Sequence, residues 1–415
     1  MREDFFSMYL NYTKDTEVPV FFHRWSAIAS VGAFLGRDYN LPFGHSHINP
    51  NIYAMLIGSP GTRKSTAIKS MQQLIKKAGY EHIAADKTTK EKFLLDLSGE
   101  EGEESAQSVL DKNLWGAGDE SSPPAECFIM ADEFNDFLGH GNLEFISLLG
   151  NLWDYNGVYK NKVKNSQSVS IVNPTISILG GNTPTGFSLA FPPEILGQGF
   201  FSRILLIYGE PSGRKITFPT PPNPEDTALL VNTLHQIKTL CRGEAQMTPK
   251  AKLLLEKIYT TWKGIDDVRF DSYSNRRFTH LLKLCLIHSA STLSTTITES
   301  DVISANTVLH FTESLMPRAL GEFGKAKHSD VSHKIITFLE SWPRPATLKE
   351  IWKHVAHNQL EKMNDLAELL RNLLQADKIQ SAGQGFLPKK KILDTTDSDI
   401  LDFSYLTPEE KGLMK

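Results

Sequence analysis

A short apolar strand running through Gly58, Ser59, Pro60, Gly61, Thr62, Arg63, Lys64, Ser65 and Thr66 into a helix constrains this chain more than any other feature. Residues 51 to 57 (NIYAMLI) are almost wholly apolar, and after the turn Ile68, Met71, Leu74 and Ile75 recur on one helical face. Strand, glycine-rich turn and helix in that order read as a phosphate-binding loop. The glycines let backbone N–H groups turn onto phosphate oxygens, and the helix N-terminus adds its positive end. Lys64 is then placed to reach the outer phosphates and Ser65 to ligate magnesium. One departure stands out: Arg63 occupies the position before the lysine where glycine is usual.

Three further apolar runs follow, at residues 127–131 (CFIMA), 175–179 (TISIL) and 204–208 (ILLIY). Apolar strands separated by helical stretches predict an α/β fold with a parallel sheet covered on both faces. The first run ends in Asp132 and Glu133, which puts one carboxylate near a magnesium ion and the next near an attacking water, so Asp132 reads as the metal-side residue and Glu133 as the base. The second ends in Gly180, Gly181 and Asn182. Asn182 is expected to lie between the other two strands and to position that water. Arg203 precedes the third run, where it could pair within its own domain or reach the γ-phosphate of a neighbouring subunit.

Size and composition bound the remaining organisation. With 415 residues, 40% of them hydrophobic and 22% charged, the chain is expected to fold as a soluble protein of two or three domains. Three dispersed cysteines, no membrane-length apolar run and no signal-like start point to a reducing cytoplasm, that of a host cell if the source is viral. The formal net charge of −4 means that any nucleic-acid contact must come from local patches. The expected domains are an N-terminal helical segment (1–50), an α/β core (51–224) closed by a proline-rich stretch, a helical lid (225–320), a winged helix (331–392) and a flexible tail (393–415). Residues 98–126 are polar and small, and read as a surface insertion.

The loop Gly58 to Ser65 resembles that of the minichromosome maintenance (MCM) helicases, in which a non-glycine residue also precedes the lysine. Ala131 to Asn135 is similar to their IDEFD motif, and Phe201, Ser202 and Arg203 to their arginine-finger motif. The helices from Arg276 or Arg277 through Val302 resemble their lid, in which an arginine senses nucleotide in trans. The arrangement over residues 20–320 looks closer still to the compact AAA+ ATPases of phage and mobile-element replication. The resemblance implies an AAA+ core, a ring, hexameric in that family, with ATP and Mg²⁺ at the subunit interfaces, and single-stranded DNA in a central channel.

Tyr159 to Ser166 (YKNKVKNS) alternates basic and other residues and reads as a β-hairpin ahead of the Asn182 strand. Lys160, Lys162 and Lys164 are the expected DNA-binding residues; in the resembled helicases a hairpin here points into the channel. The winged helix carries Lys389, Lys390 and Lys391 at its wing, and either duplex DNA or a replication protein fits it. The function that follows is an ATP-driven DNA helicase or translocase of a phage or similar element. A replication initiator or helicase loader would use the same nucleotide site, and so would a regulatory AAA+ ATPase that binds no DNA.

Overall fold

In the computed structural model the four apolar runs meet in one parallel sheet, and the described residues are 4–99, 125–139, 141–161, 169–191, 195, 199–321, 329–356, 363–375, 379–383, 385–388 and 399–413. The chain divides into two units, residues 1–321 with 398–415 and residues 322–397.

The first unit opens with helices α1 (Phe5–Tyr12) and α2 (Val20–Leu35), then an antiparallel pair β1 (Tyr39–Phe43) and β2 (Ser46–Ile48). The N-terminal segment, expected to be largely helical, therefore ends in a hairpin turned at Gly44, which has φ 62°. Every residue of α2 from Phe21 to Leu35 is buried. The spacing of Phe21, Trp25, Ile28, Val31 and Leu35 predicts one apolar face, but Ala27, Ala29, Ser26, Ser30 and Gly32 on the other faces are small enough for close packing all round.

The core follows as β3 (Tyr53–Ile57), α3 (Lys64–Lys77), α4 (Lys90–Leu97), β4 (Glu126–Ala131), α5 (Phe134–Leu138), α6 (Leu143–Leu152), the antiparallel pair β5 (Val158–Asn161) and β6 (Val169–Val172), β7 (Thr175–Asn182), α7 (Pro184–Ala190) and β8 (Ile204–Tyr208). The sheet order is β4-β7-β3-β8, all parallel. Ile83 adds an isolated parallel bridge to Phe128. β3 and β7 are buried at every position, as central strands of a covered parallel sheet must be.

Helices α8 (Pro224–Leu240), α9 (Pro249–Thr261), α10 (Asp271–Ser274), α11 (Arg277–Ser291) and α12 (Glu299–Leu320) complete this unit, with two-residue strands β9 (Gly243–Glu244), β10 (Gln246–Met247) and β11 (Thr296–Ile297) between them. The second unit contains α13 (Ser329–Ser341), β12 (Ala346–Thr347), α14 (Leu348–Ile351), which continues as a wider π turn to Ala356, α15 (Met363–Gln375), and strands β13 (Ile379–Ala382) and β14 (Gly385–Pro388) in the order β12-β14-β13. Val331, Ile335 and Leu339 meet Leu366, Leu370 and Leu373 in a core of its own.

The expectation of a flexible tail is corrected over residues 399–413, which return to the first unit. Glu410, on the short helix α16 (Pro408–Gly412), accepts from Arg24 Nε at 2.6 Å and Nη2 at 2.8 Å, both residues being almost fully buried. The Arg24 guanidinium also donates to the Tyr405 carbonyl and lies 4.8 Å from the Tyr405 ring centroid. Ile400 O accepts from Asn306, and the Arg318 guanidinium donates to Leu413 O. Glu410 and Tyr405 are thus two of the residues that bind this segment.

A buried cation left without its counterion is costly, so Glu410→Ala should lower the stability of the first unit by about 3–5 kcal/mol, measured by urea denaturation. Replacing both partners with apolar residues of similar volume (Arg24→Met with Glu410→Leu) should recover most of that loss. A single Glu410→Ala change within about 0.5 kcal/mol of wild type would show that the segment is not held by this pair.

Candidate functional site

The phosphate loop is built as its residue types require, except at one position. Gly61 has φ 84°, and Arg63 also sits in the left-handed region at φ 63°, ψ 26°, immediately before Lys64 opens α3. Glycine is usual before the lysine because that backbone conformation is uncomfortable for any residue with a Cβ. Here an arginine adopts it, and its guanidinium donates to the Glu17 carboxylate, with Nε at 2.9 Å. Thr62 is fully buried, and its hydroxyl donates to the Ser59 carbonyl, which ties the turn across itself.

Lys64 Nζ donates to Gly58 O at 2.8 Å and Ser59 O at 3.1 Å, so the ammonium lies over the loop with only neutral acceptors. Burial lowers the Lys64 pKa, and the charge of Glu133 acts in the opposite direction. Ser65 and Thr66 occupy the next two positions of α3.

Strand order brings the acidic pair and Asn182 to the same edge. Ile57, the last residue of β3, is paired with Asn182, and the Gly58 N–H donates to the Asn182 carbonyl at 3.3 Å. Ala131 is paired with Gly180, so Asp132 follows beside Gly181. A Cβ on Gly181 would lie 2.5 Å from the Asp132 carbonyl oxygen, so only glycine permits this approach of the two strand ends. The Asp132 carboxylate accepts from Lys69 Nζ at 2.7 Å. Glu133 is exposed at the N-terminus of α5.

The Asn182 side chain is fixed from both ends. Its Nδ2 donates to Asn135 Oδ1 at 2.7 Å and its Oδ1 accepts from Thr183 N at 2.9 Å, while Asn135 Nδ2 donates to Gly186 O. The structure thus brings together Gly58 to Thr66, Asp132, Glu133 and Asn182. Glu17, Lys69 and Asn135 join them as residues to which sequence reasoning gave no role. Asn135 stood inside the acidic motif and its amide was a usable signal; Glu17 is far away in the chain and gave none.

Arg203 is not brought to this edge. It lies in a 3₁₀ turn at the start of β8, and Ile204 is in register with Tyr53 at the opposite end of β3. At about 3.3 Å per strand residue, the length of β8 separates Arg203 from the phosphate-loop edge by roughly 17 Å, beyond the reach of its side chain. The guanidinium donates to the Gly199 carbonyl and lies 5.8 Å from the Trp153 ring centroid. Its Nε is buried and has no hydrogen-bond partner among the described residues. Burial and then the nearby Arg276 charge push its pKa below the ordinary arginine value, while Asp154 and Tyr53 act the other way.

The choice between Arg276 and Arg277 resolves on burial. Arg277 is spent between helices α11 and α12: its Nε donates to Glu313 at 2.8 and 3.0 Å, its Nη2 to Asn306 at 2.9 Å, and it stacks 4.0 Å from the Trp262 ring centroid. The expectation that Arg277 senses nucleotide is therefore corrected. Arg276 is half-buried and forms no ion pair among the described residues, and its charge is felt at Arg203.

The antiparallel pair β5 and β6 leads directly into β7, at the same end of the sheet as Arg203. Lys160 is exposed on β5, opposite Ser170. Lys162 and Lys164 lie outside the described residues.

Arg276→Ala should leave urea stability within about 0.5 kcal/mol of wild type, whereas Arg277→Ala should cost about 3–5 kcal/mol because Glu313 is left as an unpaired buried acid. Equal stability losses for the two substitutions would remove the distinction drawn between them. No protein-family model matches the chain, and a search of curated proteins finds no match either.

Proposed function

We propose that the chain is a magnesium-dependent ATPase of the AAA+ type that assembles into a ring and couples hydrolysis to movement along DNA, as a replicative helicase or translocase does. The observation that carries this reading is the insertion of β7 between β3 and β4, which sets Asn182 between Lys64 on one side and Asp132 and Glu133 on the other.

The donor set fits a nucleotide triphosphate and its metal. Among the described residues Lys64 has only neutral carbonyl partners, which phosphate oxygens can replace, and the α3 N-terminus faces the same turn. A Ser65 hydroxyl and an Asp132 carboxylate are hard oxygen ligands of the kind magnesium takes. Bound there, magnesium would neutralise charge developing between the outer phosphates. Glu133 takes a proton from the attacking water, Asn182 holds that water in line, and Lys64 compensates the charge on the departing ADP.

The distance of Arg203 and Arg276 from their own phosphate loop supports a site completed by a second copy of the chain. Each subunit then offers Lys64, Ser65, Asp132, Glu133 and Asn182 on one side, and an arginine pair on the other. A DNA substrate is supported by the β5–β6 pair that precedes Asn182's strand in the chain, with Lys160 exposed and Lys162 and Lys164 following it in sequence. The second unit reads as a winged helix: helix, strand, two helices and two strands, with the first strand bonded to the last. Duplex DNA or a replication protein are its candidate partners.

Lys64→Ala should abolish nucleotide binding, whereas Glu133→Gln should bind normally and turn over ATP at least ~100-fold more slowly. Lys160→Ala should keep basal ATP turnover and lose part of the stimulation by single-stranded DNA, with binding that falls steeply as salt rises. Strand separation measured beside ATP turnover distinguishes the motor from a loader or a regulatory ATPase, since neither of those unwinds processively. Wild-type protein that turns over ATP with no response to DNA would leave the ATPase and overturn the helicase.

A further inference from the structure

We infer that Glu17 is a positioning residue for the phosphate loop, holding Arg63 in the left-handed conformation that the site requires; this rests on the nucleotide reading given above. Arg63 is the first of two observations. It is one of few non-glycine residues with positive φ among those described, and it stands where the backbone must turn so that the following N–H groups face the phosphates. A side chain with a Cβ does not hold that conformation on its own account. The conformation therefore needs support from elsewhere in the fold.

Glu17 supplies it. One carboxylate oxygen receives Arg63 Nε at 2.9 Å and also its Nη2, and the other receives the Ile216 N–H at 2.8 Å. The Glu17 carbonyl accepts from Ser212 Oγ at 2.7 Å, and Arg214 donates to Lys14 O at 2.6 Å and Val18 O at 2.8 Å. The connection between α1 and α2 is thus clamped to the segment that leaves β8, and that segment also borders the loop: Gly209 N–H donates to Ile57 O at 3.0 Å. The Ile216 N–H and then Arg63 hold the Glu17 carboxyl below its ordinary pKa, so it is ionised at neutral pH and its bond to Arg63 is charge-assisted.

A carboxylate fixed on three elements can hold an arginine still. Glycine at position 63 would need no such hold. The dependence of nucleotide binding on Glu17 should therefore exist only while residue 63 has a side chain.

The test is a cycle of substitutions in the full chain, read by binding of a fluorescent ADP analogue with magnesium and by steady-state ATP turnover. Glu17→Gln should weaken binding and raise KM by about fivefold while kcat stays within about twofold, since Lys64, Glu133 and Asn182 are untouched. Arg63→Gly should bind within about twofold of wild type, and Arg63→Ala should bind about fivefold more weakly, because alanine keeps the strain and loses the clamp. In the Arg63→Gly background, Glu17→Gln should change binding by less than about twofold. An equal loss from Glu17→Gln in both backgrounds would overturn the inference, because Glu17 would then act through Ile216 or the fold alone. Arg63→Gly as weak as Arg63→Ala would also overturn it, by showing that the guanidinium itself contacts the nucleotide. Wild-type protein that binds no nucleotide sinks the underlying reading instead.

Discussion

Everything at the candidate site depends on the close approach of two strand ends, β7 at Gly181 and β4 at Asp132. Parallel pairing forces the carboxyl ends of all four strands to one edge, and the order β4-β7-β3-β8 decides which loops become neighbours there. With β7 in the middle, Asn182 adjoins the turn that follows β3, and the acidic pair lies one strand further out. Any side chain at Gly181 would push that acidic pair away from the others. The geometry is a property of backbone spacing first and of reactive side chains second.

The same sheet has a second end with different chemistry. Arg203, Arg276, Trp153 and the β5–β6 pair gather where the strands begin, and the sheet separates them from the phosphate loop by the length of a strand. On the proposed reading, one copy carries two incomplete halves facing different ways, and such complementary surfaces associate head to tail. Head-to-tail contacts close into rings when the rotation per subunit allows it.

Much of this was legible in the chain because the signals were local. Four apolar runs marked the four sheet strands, and Ile68, Met71, Leu74 and Ile75 marked the buried face of α3, all of them buried as expected. The glycine turn before Lys64 located the loop. What was not legible came from contacts between distant segments. The buried α2 looked amphipathic since its small residues read as polar or neutral, the returning segment around Glu410 looked flexible, and neither Glu17 nor the Arg277–Glu313 pair has a sequence signature. Adjacent Arg276 and Arg277 are identical as letters, and only the packing of α11 against α12 separates them.

That separation follows a general rule about buried cations. Arg24 is held by both oxygens of Glu410 and by a carbonyl; Lys283 Nζ bonds Asn49 O, Asn51 Oδ1 and Asp154 Oδ1 at 2.7–2.8 Å; Arg277 is held by Glu313 and Asn306. Each ties together segments far apart in the chain, and each is held by a carboxylate and at least one further acceptor, as a desolvated charge must be. Such pairs add little net stability over apolar packing, yet losing one partner is severe, so they act to hold segments in register. Arg203 differs from these three: it is half-buried, its Nε, like that of Arg214, has no hydrogen-bond partner among the described residues, and the Arg276 charge acts on it. On the proposed reading, a neighbour's phosphate arrives at the sheet end where this guanidinium lies.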